Sequence, residues 1–491
     1  MRLTTLGLIG ALGTALLLIL LFPPFNLRPL AAVALTPLLY LMAQEPRWRR
    51  RFGWGWLAGA VYWGVTCGWI QAVLQKYGNL NLGLSILAIV LFAVAKGLHM
   101  AVFASLGAVF LKRRWGLLLI PAFWTGLERT HANLGFTWLQ LGNAGIEMGI
   151  PLRLAPYAGV YGVSFVLASL ATGLVWVLLR RPRQQLAWLA PLALLVVLPG
   201  IPADERTTAS AVALQPALSD DSMSTRDEYE RGLKRLAFST LSEATNPNLA
   251  TPQLLLWPET PGPFYYYRDS YFRDTVTQVA RLASTPFLFG SVASTARNEP
   301  LNSGIMLDSD GRLLGRYDKV HLVPFGEFVP PLFGWVNKIS AEAGEYAPGE
   351  RVVVFPTAHG TVGAFICYES AFPHFVRAFV NEGAQVLVNL TNDGYFLRGR
   401  ARGQHLLLAR MRAVENRRWL LRATNDGTTA AISPAGLLHD VFPPFEPRTG
   451  RLYFNWIRET TLYTRIGDVF AWTCLALALA LRVAAEVPQY G

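Results

Sequence analysis

Three short segments of this 491-residue chain carry the residue types that catalysis by a cysteine nucleophile requires. In Gly363-Ala364-Phe365-Ile366-Cys367-Tyr368-Glu369-Ser370 an apolar, strand-like run ends in a cysteine, and a helix-compatible stretch follows. A thiol between a strand and a helix sits where backbone N–H groups can lower its pKa and bind a developing oxyanion. In Leu254-Leu255-Leu256-Trp257-Pro258-Glu259-Thr260 a second apolar run ends in a carboxylate beside indole and proline, a setting suited to a general base. In Tyr317-Asp318-Lys319-Val320-His321-Leu322-Val323-Pro324-Phe325-Gly326-Glu327 a cation follows a third run and could stabilise a thiolate or an oxyanion. Cysteine nucleophiles need a base, an oxyanion partner and a dry pocket. Each segment follows an apolar strand, so neighbouring strands are expected to bring Glu259, Lys319 and Cys367 to one sheet edge. His321 is read as a structural histidine.

The elements around these segments divide the chain. Hydrophobic residues make up 52% and charged residues 15%, too apolar a balance for a wholly soluble protein. Apolar runs at residues 3–22, 30–42, 54–74, 82–111, 117–127, 155–179 and 186–201 read as seven membrane spans, and 466–481 as an eighth. The basic clusters Arg47 to Arg51, Lys112 to Arg114 and Arg180 to Arg183 follow spans two, four and six. One orientation satisfies all three: the N-terminus is cytoplasmic and the chain emerges on the outer side after span seven. The net charge of +12 therefore reflects membrane topology rather than a nucleic-acid surface. Among the spans, Lys96 and His99 stand out as intramembrane polar residues. Cysteine is too scarce for a disulfide framework, with Cys67 and Cys474 in apolar runs, and no spacing resembles a zinc site.

From residue 207 short β-rich runs alternate with helix-compatible stretches, which argues for an inserted α/β or α+β domain. Strands are expected at 210–215, 253–257, 286–291, 385–390, 419–423 and 428–432, and helices at 225–244, 371–381 and 400–418. A hairpin is expected at Asp308-Ser309-Asp310-Gly311. The organisation is thus a seven-span region over residues 1–206, a periplasmic catalytic domain over 207–460, and a terminal span with a cytoplasmic tail over 461–491.

Taken together, Trp257-Pro258-Glu259, the Tyr317 to Glu327 segment and Cys367-Tyr368-Glu369 resemble the nitrilase, or carbon–nitrogen hydrolase, superfamily. Set among membrane spans, they resemble its lipoprotein-acylating membrane branch. Asn389 to Gly394, Ala409 to Glu415, Leu421 to Asn425 and Gly135-Phe136-Thr137-Trp138 agree, with Thr137 where that branch has proline. The resemblance implies an αββα sandwich for the inserted domain. It implies Cys367 as nucleophile, Glu259 as general base, Lys319 as oxyanion partner, and Glu327, Tyr368 and Glu369 as supporting residues. The implied reaction moves an acyl chain from a phospholipid, through a Cys367 thioester, to the α-amino group of a diacylglyceryl-cysteine at an apolipoprotein N-terminus. The enzyme would work as a monomer in the inner membrane with no cofactor. The alternative on the same triad is a membrane-tethered amidase that releases its acyl group to water. One departure is visible: the loop Pro216 to Met223 lacks the family's tryptophan, for which Phe264-Tyr265-Tyr266-Tyr267 is a candidate substitute. Phe328, Leu332, Phe333 and Trp335 are expected to dip into the bilayer or line substrate entry.

Overall fold

The structure is a computed structural model that describes residues 3–484 apart from 114, 134–135, 203–205, 220–221, 261, 325 and 329–345. Leu332, Phe333 and Trp335 therefore lie outside the described residues. Two compact units result, one of residues 1–75, 80–201 and 465–491, the other of residues 76–79 and 202–464.

In the first unit the apolar runs become helices Leu3–Leu20, Thr36–Gln44, Trp48–Thr66, Trp69–Lys76, Leu82–Gly107, Gly116–Asn133, Ala155–Leu178 and Val469–Ala484. Among the described residues two stretches, Leu82–Lys112 and Ala155–Leu178, are long and apolar enough to cross a membrane. Trp48–Thr66 and Trp69–Lys76 would add a third if the pair, bent by 52°, forms one span. The sequence leads to seven such spans before residue 206, so the helices are more broken than hydropathy alone implies. The second run turns as a 3₁₀ helix over Arg28–Ala32 before Thr36–Gln44. At nine residues that helix is only about 14 Å long, under half a hydrocarbon core. The seventh run winds as a 3₁₀ helix over Arg183–Val196. Several polar residues inside the unit find partners. Lys96 donates to the Phe136 carbonyl (2.9 Å), bonds His131 and lies 4.9 Å from the Trp63 ring centroid. Arg129 pairs with Asp468 and lies over Trp472. Gly59 packs directly on Gly97, where an added Cβ would come within 2.7 Å of the Gly97 Cα, so small residues set this helix crossing.

The second unit contains two six-stranded mixed sheets. The first is built from β1 (Ala209–Gln215), β2 (Leu254–Leu256), β3 (Phe287–Ser294), β4 (Pro300–Leu307) and β5 (Leu313–Asp318). The second uses β6 (Val354–Pro356), β7 (Thr361–Ile366), β8 (Val386–Thr391), β9 (Leu420–Thr424), β10 (Ala430–Ile432) and β11 (Leu438–His439). The chain then returns through β12 (Arg448–Phe454) to the edge of the first sheet, antiparallel to β1. In each sheet three strands run parallel, β1-β2-β3 and β7-β8-β9, with antiparallel strands outside them. Helices α1 (Arg226–Ala244) and α2 (Ser270–Ala283) cover the first sheet, burying Leu233, Leu236, Phe272 and Val276 against Val212, Leu255, Phe287 and Phe289. Helices α3 (Pro373–Asn381) and α4 (Ala401–Asn416) serve the second, with Phe379 packed on Phe365. The inner faces meet where Leu390 of β8 stands against Gly304 of β4.

Local chemistry accounts for these elements. Thr225 caps α1, accepting from the Glu228 N–H, while the Glu228 carboxylate accepts from the Thr225 N–H. Asp269 caps α2 through the Tyr271 N–H. The β4–β5 hairpin forms where expected, with Gly311 at φ +74° and the Asp308 side chain accepting from the Asp310 and Arg312 N–H groups.

Candidate active site

The carboxylate and the cation leave the first sheet and the thiol leaves the second, so the expected single sheet edge is not what forms. Glu259 follows β2, Lys319 follows β5 and Cys367 follows β7. The Asn392 N–H just after β8 reaches the Glu259 carboxylate just after β2, so these strand ends of the two sheets meet. Glu259, Lys319 and Glu327 form one hydrogen-bonded cluster. Lys319 Nζ lies 2.8 Å from Glu327 Oε1 and 3.3 Å from Glu259 Oε1, with only 1% of its surface exposed. Asn302 of β4 holds the same two carboxylates through its amide group, at 2.7 Å from Glu259 and 2.8 Å from Glu327. Asn392 donates its backbone N–H to the other Glu259 oxygen (2.8 Å), and Val323 does so for Glu327 (2.8 Å).

Burial opposes a charge on Lys319, but Glu259 and Glu327 outweigh it and hold the ammonium well above its usual pKa. The cluster of two carboxylates and one ammonium therefore carries a net −1 charge. Gly290 explains how Glu259 reaches its place. A Cβ there would stand 2.5 Å from the Thr260 nitrogen and 2.7 Å from the Glu259 Cα, so only glycine lets β3 pass so close.

Cys367 opens a 3₁₀ turn (Cys367–Ala371) at φ +49°, a left-handed conformation that costs a non-glycine residue about 1–3 kcal/mol. Helix α3 starts only at Pro373, so the sulfur sits on a tight turn rather than on a helix N-terminus. The expected lowering of its pKa is not realised. Burial above all, and the Glu259 carboxylate next, push the thiol up, against the opposing pull of Lys319 and a hydrogen bond with Thr391. Cys367 is thus a neutral thiol within electrostatic reach of a carboxylate.

Glu369 joins the two halves of the site. One of its oxygens accepts from the Tyr317 hydroxyl (2.6 Å) and from the Val320 (2.7 Å) and His321 (3.1 Å) N–H groups. The other accepts from the Ile366 N–H (2.7 Å). A fully buried carboxyl thereby ties the Lys319 turn to the strand end that carries Cys367, and burial pushes its pKa up to about 7 against those donors. Tyr368 is buried, its ring edge-on to Phe372 at 5.1 Å. His321 stacks on Phe372 at 4.1 Å, and burial and His374 lower its pKa to about 4, as a structural histidine requires.

A second buried network adjoins Cys367, and its roles are not legible in the sequence. His405 of α4 bonds the Cys367 carbonyl through Nε2 (2.9 Å) and Asp393 through Nδ1 (3.0 Å). Arg422 of β9 binds both Asp393 oxygens at 2.9 Å and Asn389 at 2.5 Å. Burial raises the Asp393 pKa, but Arg422 and His405 together outweigh it and hold the carboxyl well below its usual range. The available signal was an arginine between Leu421 and Ala423 in an apolar strand, since a buried charge demands a partner. The aromatic run after Glu259 does not act as one unit. Phe264 and Tyr266 are buried, Phe264 stacking on Phe272 at 4.7 Å, and Tyr265 and Tyr267 are exposed.

A buried carboxylate, lysine and thiol lie between the two sheets, and residues 239–446, which hold all three, match the family described as carbon-nitrogen hydrolase. Residues 14–173 match the apolipoprotein N-acyltransferase N-terminal domain. An apolipoprotein N-acyltransferase from Geobacter metallireducens is 33% identical over 490 residues, covering 95% of this chain and 92% of that protein. Another from Azotobacter vinelandii is 31% identical over 90% of this chain and 87% of its own length. An amidase from Nesterenkonia sp. is a more distant structural likeness, with a TM-score of 0.41 at 20% identity over 54% of this chain and 94% of the amidase. The chain belongs to the apolipoprotein N-acyltransferase family.

Proposed function

We propose that this acyltransferase takes an acyl chain from a membrane phospholipid onto Cys367 and passes it to the free α-amino group of a diacylglyceryl-cysteine at an apolipoprotein N-terminus. The observation that carries the reading is a neutral, buried Cys367 thiol within electrostatic reach of Glu259 and Lys319, whose side chains are themselves 3.3 Å apart.

The first step begins with the thiol proton. Glu259 accepts it as the sulfur attacks the ester carbonyl carbon, and Lys319 balances the oxyanion. The C–O bond then breaks, Glu259 returns the proton to the departing lyso-lipid alkoxide, and a thioester remains. In the second step Glu259 takes a proton from the attacking amine, the C–S bond breaks, and the proton goes back to the thiolate. Glu327 and Asn302 hold Lys319 and Glu259 in register, and Glu369 fixes the Lys319 turn against the nucleophile. Cys367 acts through base assistance rather than as a standing thiolate, which limits side reactions between turnovers.

The setting is a membrane region of apolar helices, several of them broken or short, over residues 1–206, a catalytic domain over 207–460 on the periplasmic side of the inner membrane, and a terminal span over 461–491. The alternation of basic clusters supports that orientation. Both substrates are anchored by acyl chains, so only their reacting ends need leave the lipid. The enzyme works as a monomer. Incubation of the purified chain with an acyl-labelled phospholipid and a diacylated lipopeptide tests the reading. Label on the peptide amine supports it; label only in free fatty acid would make the protein a hydrolase.

A further inference from the structure

One hydroxyl beside the cluster has no hydrogen-bond partner among the described residues. Tyr395 follows β8 in the 3₁₀ turn Asp393–Phe396. Three residues earlier, Asn392 donates to Glu259 (2.8 Å), so this turn is fastened to the site. The Tyr395 ring is clamped against Tyr77, with centroids 4.4 Å apart and planes 10° from parallel. Tyr77 in turn donates to the Gly394 carbonyl (3.4 Å). The clamp aims the Tyr395 hydroxyl at Gly326, the residue before Glu327: a Cβ on Gly326 would overlap that oxygen. There the oxygen is buried and makes no hydrogen bond among the described residues. A buried hydroxyl without a partner costs about 1–3 kcal/mol, so a fold that holds one rigidly beside reacting groups needs a reason.

We propose that the Tyr395 hydroxyl donates a hydrogen bond to the carbonyl oxygen of the acyl group as it is bound at Cys367. This rests on the acyl-transfer reading above and adds a substrate contact to it. Burial first, and the Glu327 carboxylate next, raise the phenol pKa, so the group is a neutral donor throughout the physiological range. The carboxylates of Glu259 and Glu327 against the single ammonium of Lys319 leave the pocket with a net −1 charge. That charge disfavours a lipid phosphate at this position and favours an uncharged ester or thioester oxygen. The same carbonyl oxygen is present in both half-reactions: in the phospholipid ester before transfer to sulfur, and in the thioester before transfer to nitrogen. The contact therefore assists both steps.

Tyr395→Phe keeps the ring, the stack on Tyr77 and the packing on Gly326, and removes only the oxygen. In the full-length protein, single-turnover formation of acyl-Cys367 from phospholipid and its discharge to a diacylated lipopeptide are measured separately, together with thermal unfolding. The expected result is a roughly tenfold slowing of each step, the equivalent of about 1.4 kcal/mol, with a melting temperature equal to or above the parent's. Tyr77→Phe, which loses a hydroxyl bonded elsewhere, is expected to leave both rates within about twofold. Wild-type rates in both steps for Tyr395→Phe would overturn the proposal. Slowing of the first step alone would assign the hydroxyl to the departing headgroup and also overturn it. Should the parent protein form no acyl-Cys367, the acyl-transfer reading fails instead, and the two failures are distinct.

Discussion

Replacing Lys319 by Met keeps the length of the side chain and removes its charge, which leaves Glu259 and Glu327 buried with no cation between them. At 3.3 and 2.8 Å the two attractions amount to about 5 and 6 kcal/mol at an effective dielectric constant near 20. Most of that is offset in the native protein by the desolvation of three charges, so the net loss follows from what is left unpaired. Removing one partner of a buried pair typically costs about 3–5 kcal/mol. For a domain of this size that corresponds to a fall in melting temperature of roughly 10 °C, at about 2–4 °C per kcal/mol. The charge arithmetic supplies a sharper test. Lys319→Met takes the cluster from −1 to −2, and adding Glu327→Gln returns it to −1. The double variant is therefore expected to be more stable than Lys319→Met alone by about 2–3 kcal/mol, a coupling seen only between interacting residues. Acyl transfer should stay absent in both, because the proposed oxyanion partner is missing. Thermal unfolding and labelled-lipid transfer on the four proteins of the cycle give the answer. A Lys319→Met protein that melts within a degree or two of the parent, or a double variant whose loss equals the sum of the singles, would refute the account of this cluster.

Two further outcomes follow from the same geometry. Gly290→Ala places a methyl group against Thr260 and the Glu259 backbone, and is expected to lower the rate of Cys367 acylation at least tenfold with unchanged lipid binding, measured by single-turnover acylation and a lipid-binding titration. Because burial and Glu259 raise the Cys367 pKa, its thiolate fraction falls below that of a free cysteine at every pH under its own pKa. Alkylation of Cys367 by iodoacetamide should accordingly be slow at pH 7 and climb about tenfold per pH unit through pH 9 without levelling, and in Glu259→Gln it should become faster at each pH even as acyl transfer is lost. A rate that levels off below pH 8 in the parent would show a standing thiolate instead.

Much of the inserted domain can be read from local chemistry. The Thr225 cap, the Asp308 to Gly311 turn and the apolar strand ends at Glu259, Lys319 and Cys367 are all short-range features, and they appear where residue type and spacing put them. The pairing of two separate sheets is not local. Nothing near Cys367 says that Glu259 approaches from another sheet, since that depends on strand order and on contacts such as Gly304 with Leu390. Motif order likewise says nothing of Cys367 at φ +49°, so a lowered thiol pKa was inferred from a helix start that lies six residues further on, at Pro373. The links from Asn302 to both carboxylates and from His405 to the Cys367 carbonyl are long-range contacts between residues with no distinctive neighbours. In the first unit hydropathy finds the apolar runs, but their breaks follow from backbone detail: the 3₁₀ turn before Thr36 and the 52° bend between Thr66 and Trp69.

The central claim is that the acyl group rests on Cys367. Intact-mass measurement of the full-length protein after exposure to a phospholipid of one acyl composition tests it most directly. The account predicts a single added acyl mass that hydroxylamine removes, that transfers to a diacylated lipopeptide, and that is absent from Cys367→Ser with its membrane insertion unchanged. An acyl adduct that persists in Cys367→Ser, or transfer to the lipopeptide by that variant, would contradict it.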